Sequence, residues 1–392
     1  MKICIVSPTY PYQGSAECVF VEALVNEFVK LGHECTVIAP FSLLTFLQGK
    51  IKKSVYYEKR IIGKEGYVNI YKPKVFTYRD LSLCGVSYSS YVAGRSIEKT
   101  IEKHHLTFDL IYCHFFVQGF RAYKYAKKYQ IPMVIATGES TIQKLNKPFK
   151  SFRYEEFREH VKGIVCVSTK NKEECIKLGY ANADKCRVIP NAVNLSLFTR
   201  QSNREQIRNT LGLMPNDVAI ISVGEFCDRK GQNRVVDAVK ELRKKSICNI
   251  KIIFIGRSLS KNYQIKSDKS IIYQSAVNHD DLPDYLYAAD LFVLPTLREG
   301  CCNAIIEGMA CGLPIISSDL SFNYDILNKK NSIMINPLNV KEISAAIEKL
   351  ATDVTIRKKM GSAAFEKAQE LSIEKRAINI MHFITEQLSK ES

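Results

Sequence analysis

Short apolar runs alternate with stretches of helical period along both halves of this 392-residue chain, and few folds accept that rhythm. Lys2–Ser7 reads as a continuously buried strand. Val19–Leu31 then sets Val19, Phe20, Ala23, Leu24, Phe28 and Leu31 at helical spacing and stops at Gly32, a suitable helix-ending glycine. Cys35–Ala39 is the next strand. It is followed by Leu110–Cys113, a helix around Gln118–Tyr129, the strand Met133–Ala136, a helix around Phe152–Val161 and the strand Gly163–Val167. The second half gives strands at Ala219–Val223, Lys251–Ile255, Ser270–Tyr273, Leu291–Leu294 and Pro314–Ser317. Helices are expected between them near Asn233–Lys245, Asp280–Ala289 and Ala304–Cys311. Such alternation makes parallel sheets with helices on both faces. The expected fold is therefore α/β, with two Rossmann-like domains facing each other across a cleft. The first covers residues 1–193 and the second residues 194–376, joined near Ile189–Ser202, where Pro, Asn and Ser are dense. Ligands of such sheets sit beyond the carboxyl ends of the strands, which puts the expected site in the cleft.

Charge narrows the partners. The formal net charge is +16. Residues 1–195 carry 29 Lys and Arg against 17 Asp and Glu, and residues 196–392 carry 27 against 23, so the excess lies in the first half. A basic half suits an anionic partner such as a membrane surface or a phosphorylated acceptor. Lys50–Arg60 interleaves cations with Tyr56 and Tyr57, a pattern that can dock on anionic lipid heads or simply form a solvated face. No run of 18 apolar residues occurs, and Met1–Pro8 is too short for the apolar core of a signal peptide. No RNA- or DNA-reading motif accompanies the charge, so nucleic acid is not expected as a partner. Among the 13 cysteines no Cys-x-x-Cys pair occurs, and Cys301-Cys302 are adjacent, which suits neither zinc nor a disulfide. Cys4, Cys35, Cys166 and Cys248 lie in apolar runs and are read as reduced core thiols of a cytoplasmic protein.

The most specific segment is Ala289–Pro314. A buried strand ends at Pro295, a loop follows, and a helix opens near Asn303. Free amides at that helix start, around Cys301, Cys302 and Asn303, with the helix dipole behind them, form an anion site that fits a diphosphate. Glu299 in the loop and Glu307 in the helix are eight residues apart. Carboxylates only accept hydrogen bonds, which is wrong for phosphate and right for the hydroxyls of a sugar or a ribose.

This segment resembles the Glu-x7-Glu motif of glycosyltransferase family 4, whose fold is GT-B. The resemblance implies that Glu307 binds the ribose hydroxyls of a nucleotide-sugar and that Glu299 orients the donor sugar. Val223–Gly231 resembles the family's Gly-Arg…Lys-Gly loop, which holds the donor diphosphate. Gly224 and Lys230 match, Glu225 stands where arginine is usual, and Arg229 is a candidate for the second charge. A buried Glu225 would be costly without a partner, so a basic neighbour is expected. Val188–Asn194 resembles the family's interdomain hinge. Gly14 and Ser15, between the first strand and helix, stand where the family often has two glycines, and are candidates to meet a phosphate or the acceptor. His114, at the carboxyl end of a strand, is implied to contact the donor sugar or to position the reacting groups. Glu139, in a Thr-Gly-Glu-Ser phrase where the family often has His-Gly, is a candidate on the acceptor side. Arg257 is a candidate to reach the base or phosphates, and the backbone of Ser275–Val277 is implied to hold the base. His33 reads as structural, while His104, His105, His160, His279 and His382 belong to no visible constellation. The last helix, about residues 377–392, is implied to cross back onto the first domain.

The resemblance implies a retaining transferase that moves a sugar from a nucleotide-diphospho-sugar to a glycan or lipid-linked acceptor. The expected place is the cytosolic membrane face, in surface polysaccharide or glycolipid synthesis. No Asp-x-Asp phrase closes a strand, so no metal or other cofactor is expected. A nucleotide-sugar epimerase of related fold and a catalytically weak nucleotide-sugar binder are the competing readings. A Walker loop and a Gly-x-Gly-x-x-Gly turn after the first strand are both missing, which disfavours an ATPase and a dehydrogenase.

Overall fold

The computed structural model describes residues 1–11, 18–44, 55–64, 66–77, 82–83, 85–199, 203–245, 249–260 and 262–390. The chain divides into two compact units, Met1–Ile189 with Glu374–Ser392, and Pro190–Ile373.

The first unit is built on β1 (Lys2–Val6), β2 (Glu34–Ile38), β3 (Tyr57–Ile62), β4 (Gly66–Tyr71), β5 (Leu110–His114), β6 (Met133–Ala136), β7 (Val161–Cys166) and β8 (Cys186–Val188). They lie in the order β8-β7-β6-β5-β1-β2-β4-β3. All neighbours are parallel except β3 and β4, which form an antiparallel hairpin pairing Tyr57 with Tyr71 and Ile62 with Gly66. The central strands are covered on both faces, so they read as unbroken apolar runs. The helix Val19–Lys30 buries Val21, Leu24, Val25 and Phe28, and ends at Leu31 before Gly32 in the left-handed region. The hairpin, in contrast, alternates exposed and half-buried positions along YEKRII, which hides it from a search for apolar runs. The helix Ile373–Ser389 packs on this unit. Phe383 lies so close to Gly163 that a Cβ there would stand 2.9 Å from its ring, and Arg187 pairs with Glu386 at 2.8 Å.

The second unit holds β9 (Val218–Val223), β10 (Ile250–Ile255), β11 (Ile271–Ser275), β12 (Leu291–Leu294), β13 (Ile315–Ser318) and β14 (Ser332–Ile335), all parallel, in the order β11-β10-β9-β12-β13-β14. The order reverses between β9 and β12, where connections leave toward opposite faces and open a crevice at the carboxyl ends. The loops after these two strands carry Gly224–Gly231 and Pro295–Cys302. The described cysteines are free thiols, with Cys4, Cys35 and Cys166 buried; Cys248 lies outside the described residues.

Backbone crowding at this crevice is severe. Gly256, just past β10, has φ +149°, and a Cβ there would stand 2.0 Å from the carbonyl oxygen of Gly224. Gly312 also has a positive φ, +73°, but would meet nothing within 4 Å. Gly256→Ala is therefore expected to destabilise the second unit by about 3 kcal/mol, and Gly312→Ala by only about 1 kcal/mol. Denaturant midpoints of the two variants against the native chain check the difference.

Candidate active site

The loops after β9 and β12 meet on the carboxylate of Glu299. Its Oε1 accepts from Thr296 Oγ1 at 2.7 Å and from Arg229 Nη1 at 2.7 Å, and it lies 2.8 Å from Lys230 Nζ. Glu299 and Lys230 are 9% and 8% exposed, so this is a buried cluster in which one oxygen serves two cations. Oε2 of Glu299 has no partner among the described residues. Burial pulls the Lys230 ammonium down, but Cys302 and Glu299 more than restore it, and it titrates above an ordinary lysine. The Cys302 thiol, 3.9 Å from Lys230 Nζ, is itself pushed up by burial and stays neutral at pH 7, so Glu299 is the working counter-charge. Gly224 makes room for this arrangement, because a Cβ there would touch Lys230 Cε at 3.3 Å. Arg229 Nη1 also donates to Arg298 O at 2.8 Å, and Leu297 N–H donates to Arg229 O at 2.8 Å, which ties the two loops together.

The helix Asn303–Ala310 begins beside the cluster. Its N-cap is Cys302, with no side-chain cap. Among the described residues the amides of Cys302, Asn303 and Ala304 have no acceptor, and Asn303 Oδ1 is buried without a partner. Uncapped amides at a helix start next to two cations make a strongly anion-attracting position. Cys301 and Cys302 are buried, and Asn191 Nδ2 donates to Cys301 O at 3.0 Å, pinning the loop from 110 residues away. On the next turn of the helix, Glu307 Oε1 lies 3.1 Å from His279 Nε2.

The remaining sequence candidates take no part in the Glu299 cluster. Glu225 is exposed and, among the described residues, forms no ion pair. The expected basic neighbour is a correction, since an exposed carboxylate pays little desolvation and needs none. Only its carbonyl is engaged, accepting from Gln232 Nε2 at 3.0 Å. Arg257 is exposed and its carbonyl accepts from Phe226 N–H at 3.0 Å. Val277 is half-buried in the loop after β11, while the Ser275 carbonyl is taken by Gly256 N–H at 2.9 Å.

In the first unit, His114 closes β5 and is 4% exposed; its Nε2 is buried without a partner among the described residues. Burial, reinforced by the nearby Arg376, drives its pKa to about 3, so the ring is neutral. Glu139 spends both oxygens on backbone. Oε1 accepts from Phe116 N–H at 3.0 Å, at the start of the helix Phe116–Lys128, and Oε2 accepts from Gly138 N–H at 2.8 Å. Burial raises its pKa against those amides. Gly14 and Ser15 lie outside the described residues, as do residues 50–54 of the Lys50–Arg60 stretch. Within the described part, Arg60 is not offered to a surface. It pairs with Glu22 and with Glu58 at 2.7 Å, and donates to Pro11 O at 3.0 Å, where Lys72 Nζ also donates at 3.3 Å. No helix of the described residues is long and apolar enough to cross a membrane.

Thr296, Asn191 and His279 were missed as site residues in the sequence. Only a Thr three positions before Glu299 was a usable signal; the other two contacts span 110 and 28 residues.

Two α/β units, the second carrying an uncapped helix start beside Glu299 and Lys230, fit a glycosyltransferase of GT-B fold. Two family profiles cover most of the chain: "Glycosyltransferase Family 4" matches residues 19–197 and "Glycosyl transferases group 1" matches residues 203–367. The chain belongs to glycosyltransferase family 4. It is similar to the putative teichuronic acid biosynthesis glycosyltransferase TuaC of Bacillus subtilis, 27% identical over 381 residues and covering 94% of each chain. It is also 27% identical over 203 residues to an Escherichia coli UDP-Gal:α-D-GlcNAc-diphosphoundecaprenol α-1,3-galactosyltransferase, covering 48% of this chain and 51% of that one. Among solved structures, Anabaena HepE in complex with UDP-glucose superposes with a TM-score of 0.71 at 15% identity, covering 98% of this chain and all of that one.

The energetics of the Glu299 cluster can be separated by exposure. Glu299→Leu leaves a buried ammonium without its counter-charge and is expected to cost about 3 kcal/mol. Arg229→Ala removes a side chain that is 28% exposed and is expected to cost under about 1 kcal/mol. Equilibrium unfolding of both variants measures the gap.

Proposed function

We propose that this chain transfers a sugar, with retention of anomeric configuration, from a nucleoside-diphosphate sugar to a lipid-diphosphate-linked or glycan acceptor in surface polysaccharide or glycolipid synthesis. The carrying observation is the gathering of Lys230 and Arg229 on one oxygen of Glu299 beside the uncapped start of the helix Asn303–Ala310. In this reading the donor diphosphate binds against Lys230, Arg229 and the amides near Cys302 and Asn303. Glu299 keeps Oε2 for the hydroxyls of the donor sugar, and Glu307 accepts from the ribose. Gly224 gives the diphosphate close approach to the backbone, while Arg257 and the Val277 loop lie toward the base. The second unit is thus the donor-binding domain. The first unit, with the helix Ile373–Ser389, is assigned to the acceptor through the Gly14-Ser15 loop and the segment around Glu139, whose carboxylate is held by backbone amides, while His114 keeps the role of meeting the donor sugar or positioning the reacting groups.

During transfer the acceptor oxygen bonds to the anomeric carbon as the bond from that carbon to the diphosphate oxygen breaks. The leaving diphosphate takes the acceptor's proton, and bond formation on the face the leaving group vacates preserves configuration. The protein contributes electrostatics: Lys230, Arg229 and the helix amides stabilise charge growing on the diphosphate in a site shielded from water. These fixed cations occupy the role a divalent ion would fill, which supports metal independence. A neutral His114 offers a hydrogen bond to a sugar hydroxyl without adding charge.

The E. coli relative's named substrates, a UDP-sugar and a diphosphoundecaprenol-linked sugar, support this choice of donor and acceptor, as does UDP-glucose in HepE. Such an acceptor would place the chain at the inner face of the cell membrane, where the basic first half suits anionic lipid. Incubation of the native chain with UDP-sugars and lipid-diphosphate-linked acceptors in anionic vesicles, with product anomers assigned by NMR, tests the proposal. Lys230→Ala is expected to lower turnover by roughly a hundredfold or more, Glu307→Ala to act mainly on donor KM, and EDTA to leave the rate unchanged. If both variants kept native activity, the site assignment would be wrong.

A further inference from the structure

The contact between His279 and Glu307 joins two segments that the sugar-transfer chemistry does not by itself require to touch. His279 opens the short turn His279–Asp281, two residues beyond Val277, and so follows the loop assigned to the base. Its Nε2 lies 3.1 Å from Glu307 Oε1. A carboxylate can only accept, so Nε2 carries the proton in this contact, whether the ring is neutral or charged. Glu307 Oε2 has no partner among the described residues. The pair is largely sheltered, with side-chain exposures of 30% for His279 and 13% for Glu307.

The ring itself is backed by a rigid wall. Phe198 meets it edge-on, with centroids 5.4 Å apart and planes at 68°. Phe198 is 1% exposed, and its carbonyl accepts from Tyr287 Oη at 2.9 Å and from Cys311 Sγ at 3.4 Å. A glutamate in a helix otherwise samples several rotamers, and each must be given up before a diol can be held by two aligned bonds. Here the rotamer is chosen in advance by a donor on a neighbouring turn, in the way second-layer donors orient metal-binding carboxylates.

We infer that His279 is a positioning residue of the nucleoside site: its Nε2–H fixes one oxygen of Glu307 so that the other is presented to the ribose diol of the donor. The inference rests on the reading of Glu307 as the ribose ligand given above. It makes the turn after β11 a two-part clamp, with backbone against the base and His279 acting through Glu307 on the sugar of the same nucleoside. An arrangement of this kind discriminates ribose from deoxyribose, because the oriented oxygen is left unpaired when the diol is missing.

Titration calorimetry on the full chain separates the possibilities. The probe is whichever of UDP, GDP and ADP the native chain binds tightest, together with its 2′,3′-dideoxy counterpart. His279→Ala is expected to weaken the ribonucleotide about tenfold while leaving the dideoxy analogue within about twofold of native. His279→Gln, whose amide reaches the same position as Nε2–H, is expected to restore ribonucleotide binding to within about threefold. Glu307→Ala is expected to lose at least as much as His279→Ala on the ribonucleotide. Equal losses on both probes in His279→Ala, or no rescue by Gln, would overturn the positioning role. Native-like binding by His279→Ala beside a clear loss in Glu307→Ala would sink this inference alone. Native-like binding by Glu307→Ala, or a native chain that binds none of the three nucleotides, would overturn the ribose reading with it.

Discussion

One carboxylate oxygen, Oε1 of Glu299, is shared by Lys230, Arg229 and Thr296. Glu299 and Lys230 are nearly buried and would be expensive singly, and the cluster persists because each has its partner at hydrogen-bond distance. The consequence is positional. Lys230 and Arg229 belong to the loop after β9, while Glu299 belongs to the loop after β12, so the ion cluster clips together the two loops that flank the reversal of strand order. Lys230 is held 3.9 Å from the thiol of Cys302 at the uncapped helix start, so the proposed diphosphate would meet a charge already in place.

The glycines follow from the same constraint. Cations can lie against the strand ends only if the backbone there has no side chains, and Gly224 and Gly256 supply that clearance, one against Lys230 and the other against Gly224 itself. The first unit shows the opposite economy. Glu139 and Arg60 are committed to backbone groups and to other side chains, while Nε2 of His114 is among the buried polar atoms of this unit that have no partner among the described residues. Unsatisfied buried nitrogen is uncommon in folded chains, which supports the proposed hydrogen bond from His114 to a sugar hydroxyl.

Much of this could be read from the sequence because it depends on local pattern. Parallel strands such as Ile250–Ile255 are buried on both faces and therefore spell uninterrupted apolar runs, and the strand, loop and helix around Glu299 and Glu307 are contiguous. The hairpin of Tyr57–Ile62 and Gly66–Tyr71 escaped because its first strand, YEKRII, alternates exposed and half-buried positions and so spells no apolar run. Asn191 and His279 escaped because their contacts with Cys301 and Glu307 cross long stretches of chain, and nothing in the local wording of either segment announces its partner. Glu225 stands where arginine was expected; the loop turns that side chain to solvent, where it needs no partner, and Arg229, four residues later, joins Lys230 on Glu299.

In the proposed function Glu299 and Lys230 act as a unit in receiving a diphosphate. A double-mutant cycle on UDP affinity, using Lys230→Met, Glu299→Gln and the two combined, measures that directly. Coupling of about 1 kcal/mol or more between the two sites is what the geometry requires. Strict additivity, with the combined variant losing the sum of the single losses, would mean that the two side chains meet the ligand independently and that the buried contact between them has no part in binding.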